Sequence, residues 1–221
     1  MQESIENEIG TFYNHLMISA HPLLARRPTR PAPSLSLLPE AEDLQLVQGR
    51  VHEACGSSRR TLAMWLAAQT DAQVIWISPS WAKDQLSSDG VSAWINPSRL
   101  IFVTPRRAED LLWTMEEVLR SGAISLCIAD LPELPGLTPV RRLHLAAETG
   151  AQNGQGIPTG ILLPPGKGGA PGVETRWHIA PRHARGQESW YLERLRARTA
   201  PHKSWLIGRS SVSEPPRIKT A

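Results

Sequence analysis

The sequence predicts an α/β domain in which helices cover a mostly parallel sheet. Short apolar runs, most of them β-branched, alternate along the chain with segments of helical period. Strands that are apolar on both faces are typical of parallel sheets buried between helices, and a strand–helix–strand rhythm builds such a doubly wound sheet. The predicted parallel strands are Val51–Cys55, Val74–Ser78, Leu100–Thr104, Ile124–Ala129 and Gly160–Leu163.

Ahead of the sheet, residues 1–43 are predicted to form a marginal helix followed by a proline-rich linker. One helix face is indicated by the spacing of four, three and four between Ile5, Ile9, Phe12 and Leu16. From Arg26 onward, prolines and charges leave too little apolar area to offset the entropy of ordering. The sheet domain is predicted over residues 44–209, and residues 210–221 as a flexible tail.

Three segments between the strands are predicted to be helices. The first is Arg60–Gln69, directly after the first strand. The second begins at Thr104-Pro105, a cap residue followed by proline, and its apolar stripe ends at Gly122. The third repeats that start signal at Thr138-Pro139 and ends at Gly150. These lengths suit helices that pack on the two faces of the sheet.

The C-terminal part contains two alternating runs, Thr175–Arg182 and Ser189–Arg198, which favour an antiparallel strand pair closing the sheet. At a two-residue period, Arg194, Arg196 and Arg198 are expected to share one face of their strand. With Trp190 as a stacking surface, these arginines are candidates for binding single-stranded DNA.

Composition excludes several classes of protein. The chain has 221 residues and a net charge of +3, divided into 13 basic and 17 acidic residues up to Gly150 and 11 and 4 after it. The resulting +7 of the last part indicates a polyanionic partner or an arginine-rich surface.

No run is long and apolar enough for a membrane span, and the N-terminus lacks the pattern of a secretory signal. Cys55 and Cys127 form no C-x-x-C pair, so we expect a cytoplasmic protein without a zinc site or disulfides.

The turn after the first strand carries an incomplete phosphate loop. Gly56 and the hydroxyl residue Thr61 are present, but the second glycine and the lysine of G-x-x-x-x-G-K-[ST] are missing, and the turn is two residues too short. Asp130 follows an apolar strand, as the carboxylate that supports Mg²⁺ does in such NTPases. Arg59 and Arg60 are interpreted as solvated turn residues, with anion binding at the helix N-terminus as the alternative. We therefore predict no ATPase activity and no cofactor.

Other chemistries have little support in the sequence. The seven histidines show no metal-ligand spacing, and no G-x-S-x-G motif or cysteine nucleophile signature is present. Glu53, inside the first predicted strand, is interpreted as a remnant polar position or an edge residue. No catalytic or metal-binding residue is predicted.

Several of these features together resemble the ImuA family. They are Gly49-Arg-Val-His-Glu53 before the incomplete loop, Leu112-Trp-Thr-Met-Glu-Glu-Val-Leu-Arg-Ser-Gly122, and Arg141-Arg-Leu-His-Leu-Ala-Ala-Glu148. The resemblance covers residues 49–207 and implies a RecA-like core without working ATPase motifs. It also implies an accessory role in SOS-induced mutagenesis and translesion DNA synthesis, beside ImuB, an error-prone C-family polymerase and RecA. The proline-rich N-terminal region departs from the family pattern.

The residues of this resemblance also carry structural expectations. Trp113 is expected to pack in the core while Glu116 and Glu117 are solvated. Arg141 and Arg142 lie in the first turn of a helix, where cations are disfavoured, so Asp130 or Glu133 is expected to offset them. Two functional alternatives stay open, namely direct binding of single-stranded DNA and an ATPase with an atypical loop.

Overall fold

A nine-stranded sheet lies at the centre of the structure. The computed structural model describes residues 32–39, 41–198, 200–211 and 214–219, and Pro33–Ala221 form one compact unit. The predicted helix within residues 1–20 and the start of the linker lie outside the described residues. The strands are β1 (Ser34–Ser36), β2 (Gln45–Val47), β3 (Val51–Cys55), β4 (Val74–Ile77), β5 (Leu100–Val103), β6 (Leu126–Asp130), β7 (Thr159–Leu163), β8 (Thr175–Pro181), β9 (Glu188–Ala197), β10 (Lys203–Arg209) and β11 (Arg217–Ile218).

The strand order is β11-β10-β9-β8-β3-β7-β6-β4-β5, and β1 and β2 form a separate antiparallel pair. Five of the eight pairings in the large sheet, from β8 through β5, are parallel. The other three, among β8, β9, β10 and β11, are antiparallel. The predicted α/β class is therefore confirmed, as are the mostly parallel sheet and the antiparallel C-terminal strands.

The five predicted parallel strands agree with β3, β4, β5, β6 and β7 to within two residues. Continuous apolar runs identify them because both faces of these strands are covered. At the C-terminal end the structure adds β11, which pairs antiparallel with β10 within the segment predicted to be a tail. At the other end, Leu37 and Leu38 are completely buried, so core packing begins before the predicted boundary at residue 44.

Four helices flank the sheet: α1 (Arg59–Ala68), α2 (Ser88–Ser92), α3 (Ala108–Ser121) and α4 (Leu137–Asn153). Helix α3 begins at Ala108 with Arg107 at its N-cap, so the predicted start at Thr104-Pro105 is three residues too early. It ends, as predicted, at Gly122, which is left-handed with φ +62°.

Gly150 does not end α4, which continues to Asn153. Instead, Gly150 permits a close contact with α3, since a Cβ there would lie 2.0 Å from the Leu119 carbonyl oxygen. A Cβ at Gly122 would likewise lie 2.3 Å from the Gly150 carbonyl oxygen. The glycines at these two positions are therefore required by the contact between the helices.

Two apolar layers cover the sheet. One, under α1, contains Leu62, Trp65, Trp76 and Trp177, and buried side chains of the β1–β2 segment pack in the same layer. The other, under α3 and α4, is built on side chains such as Met115. Among the described helices, none has the length and apolarity to cross a lipid bilayer.

Candidate functional site

The turn between β3 and α1 follows the central parallel strand, where ligands bind in many doubly wound sheets. Gly56 has a φ of +94°, a conformation that glycine adopts without strain. A Cβ at this position would lie only 2.3 Å from the Ile179 carbonyl oxygen of β8. Close backbone packing against β8 therefore accounts for the glycine without any ligand.

The backbone N–H groups of this turn are bonded within the protein. A phosphate loop directs such groups at the phosphate oxygens. Here they donate to backbone carbonyls over 2.9–3.3 Å, from Gly56, Ser58, Arg59 and Thr61. The turn therefore lacks the free donors with which a phosphate loop surrounds its ligand at these four positions.

Asp130, the last residue of β6, forms an ion pair with both arginines of the turn. Its Oδ2 accepts from Arg60 Nε at 2.6 Å, and its Oδ1 accepts from Arg59 Nη2 at 3.3 Å. The interpretation of Arg59 and Arg60 as solvated residues is wrong, because each is partly buried against this buried carboxylate. The expectation that Asp130 offsets Arg141 and Arg142 is wrong for the same reason.

Two small cavities flank this ion pair. One, of about 130 Å³, is lined by Arg60, Asp84, Phe102 and Asp130, and the other measures about 170 Å³. Pockets for small ligands usually span about 300–1,000 Å³. Both cavities are therefore too small, in this conformation, for a nucleoside triphosphate.

Glu53 is completely buried in the middle of the sheet. Its Oε2 accepts from Arg176 Nε at 2.8 Å, and its Oε1 accepts from Gly169 N–H at 2.6 Å. Arg176 also donates to the Ala170 carbonyl at 2.8 Å. The interpretation of Glu53 as an edge residue is wrong, since β3 pairs with β7 and β8. This network connects the loop after β7 to β3, and no sequence pattern indicates partners so distant along the chain.

The helical segments that resemble the ImuA family form one contact, between α3 and α4. Glu116 is buried, and it pairs with Arg120 of its own helix and, over 2.8 Å, with Arg142 of α4. The expectation of a solvated Glu116 is wrong, and Glu116 rather than Asp130 or Glu133 offsets Arg142. Glu117, which pairs with Arg120, is exposed as expected.

Trp113 lies on the outside of α3, with 58% of its surface exposed. The expectation that it packs in the core is wrong, because the helix turns Met115 and Leu119 toward the sheet instead. It borders a surface pocket with Leu112 of the same helix and Pro139 of α4. An exposed tryptophan beside apolar neighbours is typical of protein interfaces.

The three C-terminal arginines do not share one face. Trp177 of β8 pairs with Arg194, whereas its neighbour Arg176 pairs with Arg196, so Leu195 is an extra residue in β9. Such a bulge moves residues after it to the other face. The prediction of a single arginine face is therefore wrong, because Arg194 and Arg196 lie on opposite faces of the sheet.

Arg194 is a core residue with 7% of its surface exposed. Its guanidinium lies 5.6 Å from the ring centre of Trp177 and 5.3 Å from that of Trp205. It donates to the Pro201 carbonyl at 3.1 Å and to the Asp43 carbonyl at 2.9 Å. This side chain is thus not available to a nucleic acid.

Replacing Arg194 with methionine is expected to lower the free energy of unfolding by about 2 kcal/mol, because two carbonyls lose their donor and the stacking between tryptophans is lost. The matched control is Arg196→Met, at an exposed position of the same strand, where a change within about 0.5 kcal/mol is expected. Urea unfolding followed by circular dichroism measures both. Equal effects at the two positions would contradict the assigned burial.

Trp190, the predicted stacking residue, is also buried, with 3% of its surface exposed. Its ring lies 5.3 Å from that of Trp65 and 5.1 Å from that of His183, both edge to face. It therefore packs in the apolar layer under α1 and presents no face on which a base could stack.

Arg196 and Arg198 remain exposed and line a groove on the α4 side of the sheet. Arg50, just before β3, and Arg141 of α4 line the same groove. The structure thus divides the predicted arginine set and adds two arginines from distant parts of the chain. Sequence periodicity could not group these four arginines, since they come from three separate parts of the fold, namely the start of β3, α4 and the end of β9.

Both cysteines are buried thiols, and burial raises the pKa of Cys55 to about 12 and the pKa of Cys127 further still. Within the described ranges, no cluster of three or more His, Cys, Asp or Glu side chains could hold a metal ion.

No protein-family model matches this sequence, and no curated protein is significantly similar to it. The resemblance to the ImuA family described in the sequence analysis therefore stays a prediction.

Proposed function

We propose that this protein is a non-catalytic, RecA-like accessory protein of the ImuA type that acts in the cytoplasm. In this role it brings protein partners together in an error-prone polymerase assembly during the SOS response. Its partners are ImuB, an inactive relative of Y-family polymerases, a C-family polymerase and RecA. The product of that assembly is translesion DNA synthesis and mutagenesis.

The observation that carries the proposal is the closed turn after β3. In it, four backbone N–H groups are bonded to carbonyls. Both oxygens of Asp130 are paired with Arg59 and Arg60 of the turn. A catalytic phosphate loop needs free donors, a lysine and a carboxylate available to Mg²⁺. This arrangement supports a protein that binds partners through its surface rather than one that hydrolyses ATP.

The α3–α4 pair adds independent support. The residues of the family resemblance there divide into an internal set and an external one. Glu116 and Arg142 join the two helices, while Gly122 and Gly150 allow their close contact. Trp113, in contrast, faces outward. A rigid helix pair that presents a tryptophan suits the docking of a partner protein.

Trp113→Ala is expected to lower the affinity for ImuB by at least about tenfold, since an interface tryptophan contributes more than most contacts. Pull-down of purified ImuB by the tagged full chain, followed by titration, measures this. Trp81→Ala is the matched control, because Trp81 is also exposed but lies near the β3–α1 turn. It is expected to leave capture unchanged.

Two results would contradict the proposal. One is the absence of any association with ImuB or RecA by the unaltered chain. The other is steady ATP hydrolysis by purified protein that is lost in Arg60→Ala, which would restore the ATPase alternative. If the unaltered chain captures ImuB but Trp113→Ala and Trp81→Ala bind it with equal affinity, the accessory role stands and the docking surface lies elsewhere.

A further inference from the structure

A basic groove runs between α4 and the adjoining ends of β8 and β9, and we name it the α4–β9 groove. It encloses about 640 Å³. Its defining residues are Arg50, Leu137, Arg141, Leu145, Arg196 and Arg198. They come from the start of β3, from α4 and from the end of β9, so only the tertiary fold brings them together.

Two of the four arginines have partners in the groove wall. Arg50 pairs with Glu148, and Arg198 Nε lies 3.5 Å from Glu174 Oε2. Arg141 and Arg196 have no ion pair with any described residue, and both are exposed. The groove therefore carries about two uncompensated positive charges, positioned on opposite walls.

His144, in the same wall, adds no positive charge at neutral pH. Burial lowers its pKa below the ordinary value. Its Nδ1 accepts from Val51 N–H at 3.4 Å, and its Nε2 donates to the Gly172 carbonyl at 3.1 Å. The histidine is thus a fixed, neutral part of the wall.

Apolar side chains lie beside the two free arginines. Leu137 and Leu145 flank Arg141 at intervals of four along α4, so the three follow one stripe of the helix. Leu145 exposes 62% of its surface, the largest fraction for a bulky apolar residue in the described chain. Such a stripe fits a partner that carries carboxylates and apolar side chains together.

The composition of the groove favours a protein segment over a nucleic acid. Single-stranded nucleic acids are held by aromatic side chains on which bases stack, and the described lining contains no Phe, Tyr or Trp. Exposed leucines and arginines are instead the complement of an acidic, amphipathic peptide.

We infer that the α4–β9 groove binds an acidic amphipathic segment of a partner protein, with Arg141 and Arg196 pairing its carboxylates and Leu137 and Leu145 contacting its apolar side chains. This inference rests on the proposed role in protein assembly, since it names the chemistry of one partner segment. The surface is separate from the one around Trp113, so the two can be tested independently.

The test uses the full chain and a fluorescein-labelled peptide of about sixteen residues with Glu and Leu at i, i+4 spacing. Fluorescence anisotropy at low salt is expected to give saturable binding that weakens as salt rises. The double variant Arg141→Glu/Arg196→Glu is expected to lower affinity at least about tenfold. Both positions are exposed, so folding is expected to be retained.

The matched control is Arg106→Glu/Arg185→Glu, the same charge change at exposed positions outside the groove. It is expected to bind within about twofold of the unaltered chain, since long-range effects are screened. Leu145→Asp tests the apolar contact and is expected to weaken binding as well.

Three results would overturn the inference. The first is no saturable binding of the acidic peptide, or equal binding of its Gln-for-Glu counterpart. The second is equal loss in the groove and control variants. The third is tighter binding of an oligothymidine of about twenty nucleotides through the same two arginines, which would make the groove a nucleic-acid site. Capture of ImuB that survives any of these results would leave the accessory role intact.

Discussion

Replacing Glu53 with alanine is expected to lower the free energy of unfolding by about 3–5 kcal/mol, the usual cost of removing one partner of a buried ion pair. Arg176, with only 17% of its side chain exposed, would keep its charge with no carboxylate beside it. The Gly169 N–H would lose its acceptor as well. Urea unfolding at pH 7 measures the loss directly.

Two controls separate the ion pair from its surroundings. Glu117→Ala removes an exposed carboxylate that pairs with Arg120, and a loss below about 1 kcal/mol is expected there. Glu53→Met/Arg176→Met removes both charges, and most of the stability is expected to return because no unpaired charge remains. A Glu53→Ala loss as small as that of Glu117→Ala would show that water reaches Arg176.

Acid is expected to destabilise the protein by about 3 kcal/mol between pH 7 and pH 4 through His52 alone, at 1.36 kcal/mol for each unit of pKa change. Burial lowers the pKa of His52 from 6.5 to about 4. The unfolded chain therefore binds a proton below pH 6.5 that the folded chain does not accept until about pH 4. The free energy of unfolding is therefore unaffected by His52 above about pH 6.5, and it decreases progressively as the pH falls from 6.5 to 4.

Burial keeps His52 neutral, and its hydrogen bonds define which ring nitrogen carries the proton. The Nε2–H donates to the Val47 carbonyl at 2.9 Å, so Nδ1 of the neutral ring accepts the Thr175 hydroxyl proton at 2.7 Å. Thr175 Oγ1 in turn accepts from Trp177 Nε1, also at 2.7 Å. A second proton on Nδ1 would break this chain in a site without solvent.

NMR titration of His52 and urea unfolding across pH 4–7 measure this effect. His144, whose pKa burial also lowers, contributes in the same direction. The variant His52→Gln is expected to show a shallower dependence of stability on pH than the unaltered chain. A titration midpoint near 6.5 for His52, or the same pH dependence in the variant, would contradict the assignment.

The sequence was sufficient for the sheet and insufficient for its polar contacts. Strands β3 to β7 could be located because each is apolar on both faces. The burial of Glu116 could not be predicted, because it depends on Arg142 from another helix. In β9, the extra residue Leu195 places Arg194 and Arg196 on opposite faces of the sheet. No local sequence pattern indicates that bulge.

The same limit applies to the candidate surfaces. Gly56, Arg59, Arg60 and Asp130 could be grouped from the sequence because the carboxyl ends of parallel strands lie at the same edge of a sheet. That Asp130 binds both arginines depends on side-chain distances of 2.6–3.3 Å, which periodicity does not encode. The α4–β9 groove combines Arg50 with Arg141 and Arg196, and only the tertiary fold brings these together.

The backbones of α3 and α4 meet at Gly122 and Gly150 with no side chain between them. A Cβ at either position would overlap a carbonyl oxygen of the other helix, at 2.3 Å and 2.0 Å. Any larger residue at one of these glycines would therefore push the two helices apart and disturb the apolar layer that they share over the sheet.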